Sequence, residues 1–424
     1  MNTVWILNHY GQEPGGAGGT RHYSMARHLP AFGWRAFVLA SSLESSTGRQ
    51  RLPAGVMARL TPVEQGPSGF LWVRAPHYRG NGLRRVINML AYTGRSLLPS
   101  TTRGLPCPAV VIGSSVHPFA AWAGQRLARR FGVPFVFEVR DLWPQTLIDL
   151  GALREGAVLT RLLQRGERWL YREARCIIVL LPQAHEYICP LGIPRDRIVW
   201  IPNGVDLQAF PESDLPTERE TFTVMYFGAH GRANALEHLL RAMSIVERDP
   251  RGANISLRLL GDGPRKPALI QLAQQLQLQH AQFERPVPKR QIASVAAEAD
   301  AFVFCLEKAS VFRYGISSNK LFDFMASQRP VIFSCNASNN PVAQSGAGLS
   351  VEPDDSAALA DAIVQLKELS LIERQNMARA GLAYVRENHD YRSLTRRLGQ
   401  VLDEVVRPRP AQERSERTSS VPAS

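Results

Sequence analysis

The feature that most limits the fold is an alternation that the chain makes twice. Short apolar runs rich in Val, Ile and Phe recur through the first half: "TVWILN" (3–8), "RAFVLA" (35–40), "AVVIG" (109–113), "PFVFEV" (134–139), "CIIVLL" (176–181) and "IVWIP" (198–202). Amphipathic stretches such as 20–30, 117–131 and 155–173 separate several of them. Continuous apolar runs suit strands buried on both faces, and helical crossovers between them build a covered parallel sheet. A connector rich in Pro, Asp and Glu, "PNGVDLQAFPESDLPTERET" (202–221), interrupts the pattern. It then restarts with "FTVMYFG" (222–228), "ISLRLLG" (255–261), "AFVFC" (301–305), "PVIFS" (330–334) and "GLSVE" (348–352). A length of 424 residues accommodates two such units. The expected architecture is therefore α/β, with two doubly wound Rossmann-like domains, 1–205 and 206–390, facing across a cleft. Residues 391–406 read as a helix that packs back on the first domain. The polar, Pro- and Ser-bearing end, 407–424, reads as a disordered tail. Ligands of such sheets bind at carboxyl strand ends, beside helix N-termini.

Composition excludes several classes. Hydrophobic residues make up 45% and charged residues 21%, the mix of a soluble globular chain. No apolar run approaches the length of a membrane span, and "MNTVWILNHYGQEPGG" lacks the basic leader of a signal peptide. Cys107, Cys176, Cys189, Cys305 and Cys335 are scattered and never paired as CxxC, so a cytosolic protein with reduced thiols and no zinc site is expected. The charge is lopsided. Residues 1–210 carry 24 basic and 12 acidic side chains, whereas the remainder carry 26 and 25. A basic half points to an anionic partner: nucleic acid, a lipid surface or a phosphate-bearing substrate. No zinc pattern, RNP motif or basic-aromatic stripe supports nucleic acid.

Four Gly-bearing segments mark candidate sites. "HYGQEPGGAGGTRHYSMARHL" leads from the first strand into a helix, and Gly18 and Gly19 permit close approach of a phosphate or sugar. It fits a dinucleotide fingerprint poorly, and no acidic residue closes the next strand, although a plain structural turn stays open. "YFGAHGRANALEHLL" places Arg232 at a strand–helix junction, as a diphosphate clamp or as a solvated loop residue. In "LLGDGPRKPALI", Gly261 and Gly263 end a strand and Pro264 is expected to open a helix. Lys266 then sits in a first turn, where the helix dipole disfavours a cation unless an anion joins it. The fourth segment, "RYGISSNKLFDFMASQRPVIF" (313–333), reads as a buried helix capped by Ser317 or Ser318. At 100° per residue, Asn319, Lys320, Asp323 and Ser327 fall within an arc of roughly 100°, among Leu and Phe. That narrow stripe suits phosphate at Lys320 and sugar hydroxyls at Asp323. The alternative is a surface Lys320–Asp323 pair.

In that order, "GGAGG", "PNGVD", "YFGAHGR", "GDGPRK" and "SNKLFDFMASQRPVI" resemble the family-four retaining glycosyltransferases of GT-B fold across about residues 1–400. "EVRDLWPQTLIDLG" (138–151) is similar to the branch that builds bacterial surface polysaccharides, which includes the L-fucosamine transferase of O-antigen synthesis. The resemblance implies a sugar moved from a nucleoside-diphosphate donor, UDP above others, to an acceptor hydroxyl with retention. It implies no cofactor and no metal, the cations doing a metal's work; no D-x-D occurs in the chain. Arg232 and Lys266 would hold the diphosphate. Backbone groups of Asn319, Lys320 and Leu321 would add phosphate contacts, and Asp323 would bond the ribose. Gly18, Gly19 and Asn203 complete the implied donor set. Glu138, Arg140 and Asp141 would face the cleft, Asp141 nearest the anomeric carbon. An Arg140–Asp141 pair packed by Trp143 is the structural alternative. The family's first Glu is replaced by Gly315, and Asn234 stands near the place of a usual Lys.

"YRGNGLRRVINMLAYTGRSLL" (78–98) sets Arg79, Arg84, Arg85 and Arg95 beside an apolar face. It reads either as an interfacial helix on anionic lipid or as a core-facing helix with solvated arginines. A polyprenyl-diphosphate-linked acceptor at the inner face of the cytoplasmic membrane, met by a cytoplasmic peripheral enzyme, fits the first reading. A sugar-nucleotide 2-epimerase of the same fold and a non-catalytic sugar-nucleotide-binding subunit are the rival functions.

Overall fold

The computed structural model describes residues 1–408 apart from 16–18, 45–46, 65, 79, 81, 116, 150 and 211–214. Gly18, Arg79 and most of the expected tail lie outside the described residues.

The first domain runs β1 (Asn2–Leu7), α1 (Arg21–His28), β2 (Trp34–Ser41), β3 (Ala58–Pro62), β4 (Gly69–Val73), α2 (Leu83–Ser96) and α3 (Pro99–Thr102). It continues with β5 (Val110–Ser114), α4 (Pro118–Phe131), β6 (Phe135–Val139), α5 (Gln145–Asp149), α6 (Val158–Glu173), β7 (Cys176–Val179), α7 (Ala184–Ile188) and β8 (Ile198–Trp200). The sheet order is β3-β4-β2-β1-β5-β6-β7-β8, parallel except for β3. β1 pairs with β2 from Asn2↔Trp34 and with β5 from Val4↔Val110, so the strand order reverses between β1 and β5. β1 from Thr3 onward, and β5 and β6 along their whole length, are buried because helices cover both faces. The edge strand β3, "ARLTP", is mostly exposed, which is why no apolar run announced it.

The second domain runs β9 (Phe222–Phe227), α8 (Leu236–Val246), β10 (Ile255–Leu260), α9 (Lys266–Gln275), β11 (Ala281–Glu284), α10 (Ile292–Ala296) and β12 (Ala301–Cys305). There follow α11 (Asn319–Ala326), β13 (Val331–Ser334), α12 (Pro341–Ser345), β14 (Gly348–Val351), α13 (Ser356–Glu368), α14 (Leu371–Asn388) and α15 (Tyr391–Val406). Its all-parallel sheet has the order β11-β10-β9-β12-β13-β14 and reverses between β9 and β12. α9 begins at Lys266 with Pro267 in its first turn, so Pro264 belongs to the preceding turn rather than to the helix.

Two chain crossings join the domains side by side. Gly204 passes so close to the His389 carbonyl that a Cβ there would lie 2.2 Å from it, and Val205 N–H donates to the same oxygen at 2.9 Å. Beyond the crossing, α15 packs on α1, and Tyr391, Leu394, Leu398 and Leu402 share the first domain's core with Val4 and Val38. The segment before α11 also leaves its own domain. Ala309, Val311 and Tyr314 are buried with Val139 and Ile188, and Gln183 N–H donates to the Tyr314 carbonyl at 3.1 Å. The start of α11 is thereby fixed against the first sheet.

Candidate active site

A cleft of about 240 Å³ opens where the carboxyl ends of the two sheets meet. Arg140, Asp141 and Asn203 line it from the first domain, and Asn234, Gly315, Ser317, Ser318 and Lys320 from the second. α11 points its N-terminus into this space. Ser318 is the N-cap by backbone geometry, but its side chain makes no capping bond, so the first-turn N–H groups face the cleft without a side-chain acceptor. Such a terminus favours an anion.

Lys320, in that first turn, adds a positive charge where the helix dipole opposes one. Its ammonium donates to Tyr226 Oη at 2.9 Å and to Asn234 Oδ1, and lies 4.8 Å from the Tyr226 ring centroid. Burial lowers its pKa to about 8. The residue nearest the place of a missing family Lys, Asn234, thus orients the Lys of another element. Gly228 permits the approach: its φ is +145°, and a Cβ there would meet Lys320 Cδ at 3.4 Å.

Opposite, Asp141 is exposed to the cleft at the end of β6. Protein crowding around the carboxyl raises its pKa, and Arg140 opposes that rise. A Cβ on Gly19 would come within 2.9 Å of Asn319 Nδ2 and 3.9 Å of Arg140 Nη2. Gly19, α11 and the end of β6 therefore converge. Asn319 Oδ1 also accepts from Tyr391 Oη at 3.3 Å. Asn203 lines the cleft, but its backbone N–H and Nδ2 are spent on Ser317 Oγ and Ser317 O, at 2.8 and 2.7 Å.

Other expected residues stand elsewhere. Glu138 does not face the cleft. It is buried under the sheet end, bonded by Arg21 Nε at 3.0 Å, His22 Nε2 at 2.9 Å and Ser114 Oγ at 2.8 Å. Burial alone would raise its carboxyl, but Arg21, His22 and Arg140 hold it well below the ordinary range. Arg21 in turn donates to the Ile201 and Pro202 carbonyls, so Glu138 braces the domain crossing. No sequence pattern reports this brace, because Glu138 and Arg21 are 117 residues apart.

Asp323 is 4% exposed and paired with Lys289, not with Lys320. Its Oδ1 has no hydrogen-bond partner among the described residues, and burial raises its pKa against the pull of Lys289. Leu321 is fully buried in the second core. Arg232 and Lys266 lie outside the cleft wall. The Arg232 side chain is 77% exposed and bonds Glu307 Oε1 at 3.1 Å. Lys266 Nζ donates to the Gly261 and Glu284 carbonyls at 2.8 and 2.6 Å, tying off β10 and β11. Both still occupy the carboxyl edge of the second sheet, next to Lys320. Between them sits His230, fully buried, lowered to about 4 by burial and by Lys266, with both ring nitrogens unpartnered among the described residues.

Gly315 adopts φ +92°, and a Cβ would meet Pro182 Cγ and Cδ at 2.6 Å. The domain contact itself leaves no room for a side chain there. Among the described residues, no cluster of three or more His, Cys, Asp or Glu is placed to hold a metal ion.

Residues 16–204 match the family described as glycosyl transferase 4-like domain, and residues 221–368 match glycosyl transferases group 1. A probable glycosyltransferase of Pseudomonas aeruginosa, WbjE, is 23% identical over 251 residues, which span 57% of this chain and 61% of that relative's length. Among solved structures, sucrose-phosphate synthase from Thermosynechococcus elongatus superposes with a TM-score of 0.72 at 18% identity, over 95% of this chain and 99% of its own. Anabaena HepE, in complex with UDP and glucose, gives 0.65 at 14%, over 95% and 100%. Trehalose-6-phosphate synthase OtsA gives 0.68 at 12%, over 96% and 99%. These likenesses establish a GT-B fold.

Proposed function

We propose, for a chain whose two halves are glycosyltransferase-family domains in a GT-B fold, that it moves a sugar from a nucleoside-diphosphate sugar to a glycan hydroxyl. The observation that carries this reading is the uncompensated positive pole of the cleft. An uncapped helix N-terminus, Lys320 and Arg140 converge there, and among the described residues Asp141 is the only acid in the lining. A diphosphate supplies the missing negative charge, and the adjacent Arg232 and Lys266 can turn to it from their present partners. HepE, of like fold, binds UDP and UDP-glucose, which supports UDP as the carrier.

The chemistry follows from placement. The α11 terminus and Lys320 stabilise charge on the departing diphosphate, the work that a metal does elsewhere. Asp141, across the cleft, orients the acceptor hydroxyl and steadies positive charge developing on the sugar. The acceptor oxygen bonds the anomeric carbon on the face from which the diphosphate departs, and the departing phosphate oxygen takes the hydroxyl proton, which gives retention without a covalent intermediate. The acceptor is a glycan on a polyprenyl diphosphate at the inner membrane face, in assembly of a bacterial surface polysaccharide; the likeness to WbjE supports a bacterial setting.

The test is release of UDP from UDP-sugars in the presence of undecaprenyl-diphosphate-linked glycans, with native protein and Asp141→Asn. Turnover that falls by about a hundredfold or more in Asp141→Asn, with unchanged UDP affinity, is expected for a transition-state contact. Equal turnover in the two proteins removes Asp141 from the mechanism. Conversion of the UDP-sugar without acceptor would make the chain an epimerase instead.

A further inference from the structure

We infer that the helical face formed by α2, α4 and α6 is a docking surface for an anionic lipid bilayer. The inference rests on the reading above only in that a lipid-linked acceptor gives the surface its use.

Among the described residues, eight of the fifteen large apolar side chains left in water gather on three neighbouring helices. On α2, Leu83 is 75% exposed, and Val86, Ile87 and Leu90 are 40%, 48% and 49% exposed. On α6, Val158, Leu159 and Leu162 are 75%, 57% and 57% exposed. α4 packs between these two helices and adds Trp122, with the Arg126 guanidinium 5.0 Å from its ring centroid. Exposed Leu or Ile singly needs no explanation, but a continuous patch on neighbouring helices does. The helices are otherwise well anchored. Asn88, Met89 and Tyr92 on α2, Leu127 on α4 and Leu170 on α6 face the core, so the exposed rows are second apolar faces.

Charge selects the occupant. The three helices carry ten arginines and two acids. Glu167 is buried, accepts from Tyr171 and Tyr187, and is raised to about 8 by burial. Glu173 accepts from Gln125 at the far end of α6. A protein partner with a matching apolar patch would also have to be strongly acidic. A bilayer of anionic headgroups over acyl chains offers both properties, and the exposed Arg84, Arg126, Arg161 and Arg165 stand on the same helices as the apolar rows.

Position agrees with use. α2, α4 and α6 follow β4, β5 and β6, so their N-terminal turns lie at the carboxyl edge of the sheet. Every exposed apolar residue named here except Leu90, which stands just past the middle of α2, is in the N-terminal half of its helix, on the side where Arg140 and Asp141 open into the cleft. Among the described residues, no helix is long and apolar enough to cross a membrane. The contact is therefore interfacial.

The experiment is co-sedimentation of the full chain with vesicles of phosphatidylglycerol and phosphatidylethanolamine, against vesicles of phosphatidylcholine. Two double variants, Ile87→Glu/Leu90→Glu on α2 and Leu159→Glu/Leu162→Glu on α6, alter exposed side chains only, and circular dichroism checks that they fold. Native protein should bind the anionic vesicles, and each variant should bind about tenfold or more weakly, as expected when apolar insertion and charge act together. UDP affinity, measured on the same proteins, should stay unchanged. Native binding no stronger to anionic than to neutral vesicles overturns the inference. So does native-like vesicle binding by both variants, or a native dimer that either variant converts to monomer while still binding vesicles. Vesicle binding without any UDP binding leaves the surface standing and rejects the donor site, so the two failures are separable.

Discussion

Replacing Lys320 by Met keeps the length and most of the volume of the side chain and removes only the ammonium. That ammonium has Tyr226 Oη at 2.9 Å, Asn234 Oδ1 and two aromatic faces around it, and no carboxylate among these partners. A diphosphate at the α11 terminus would receive a charge-assisted bond, so its loss should cost about 1.5–3 kcal/mol, or roughly 10- to 150-fold in UDP affinity. Folding should respond differently. Burial holds Lys320 at about 8 in the folded chain, below its ordinary 10.5, so charge at this position opposes folding. The unfolded chain binds the extra proton between these values, and native stability should rise with pH across that window. Lys320→Met should flatten the rise and leave stability at neutral pH equal or higher. UDP binding has the opposite sign. It favours the charged amine, so affinity should be level below pH 8 and fall above it, by up to about tenfold per pH unit for one proton. Isothermal titration of UDP at pH 6.5 to 9.5 on both proteins reads the affinities, and urea unfolding across the same pH range reads the stabilities. Native-like affinity in Lys320→Met, or a fall above pH 8 that persists in the variant, would refute the assignment of Lys320 to the diphosphate.

Three further outcomes follow from the same geometry. Arg232→Ala and Lys266→Ala should each abolish most turnover with little change in the folded state seen by circular dichroism, and near-native turnover in either would remove that residue from the donor site. Glu138→Ala strands the Arg21 guanidinium in the core and should cost about 3–5 kcal/mol in urea unfolding. Because the native carboxyl is held low, its stabilisation is complete above the ordinary carboxylate range and is lost as pH falls through the native value. A native-like pH profile in the variant would show the brace to be unimportant. Gly315→Glu, which restores the family residue, should lower the melting temperature and fail to raise turnover, since φ is +92° and Pro182 fills the space; a more active, equally stable variant would contradict this.

What the sequence made legible was the repeated architecture. Continuous apolar runs marked the central strands because those are buried on both faces. β3 and β11 escaped because "ARLTP" and "AQFE" are edge strands with solvated sides. "GFLWV" (β4) is wholly buried yet only five residues long, and nothing in its pattern distinguished it from a loop's apolar patch. At the site, motif order located the α11 terminus, Asn319, Lys320, Arg140 and Asp141 in one region. It did not reveal partners distant in sequence. The apolar neighbours of Glu138 in "FVFEV" suggested a strand end, but only the fold brings Arg21, His22 and Ser114 around it. The same holds for Asp323, whose cation proved to be Lys289 on another loop rather than the neighbouring Lys320. His230 carried no signal beyond its place in "FGAHGR". Its burial beside Lys266 depends on Gly261 and Gly263, whose lack of side chains admits it.

The most direct test of the donor cleft is amide hydrogen exchange with and without saturating UDP. Protection should gather at residues 317–322, where α11 begins, and at 228–234 and 261–266, where β9 and β10 end. Protection confined to other segments, or none at saturation, would contradict the placement of the nucleoside diphosphate between the two sheets.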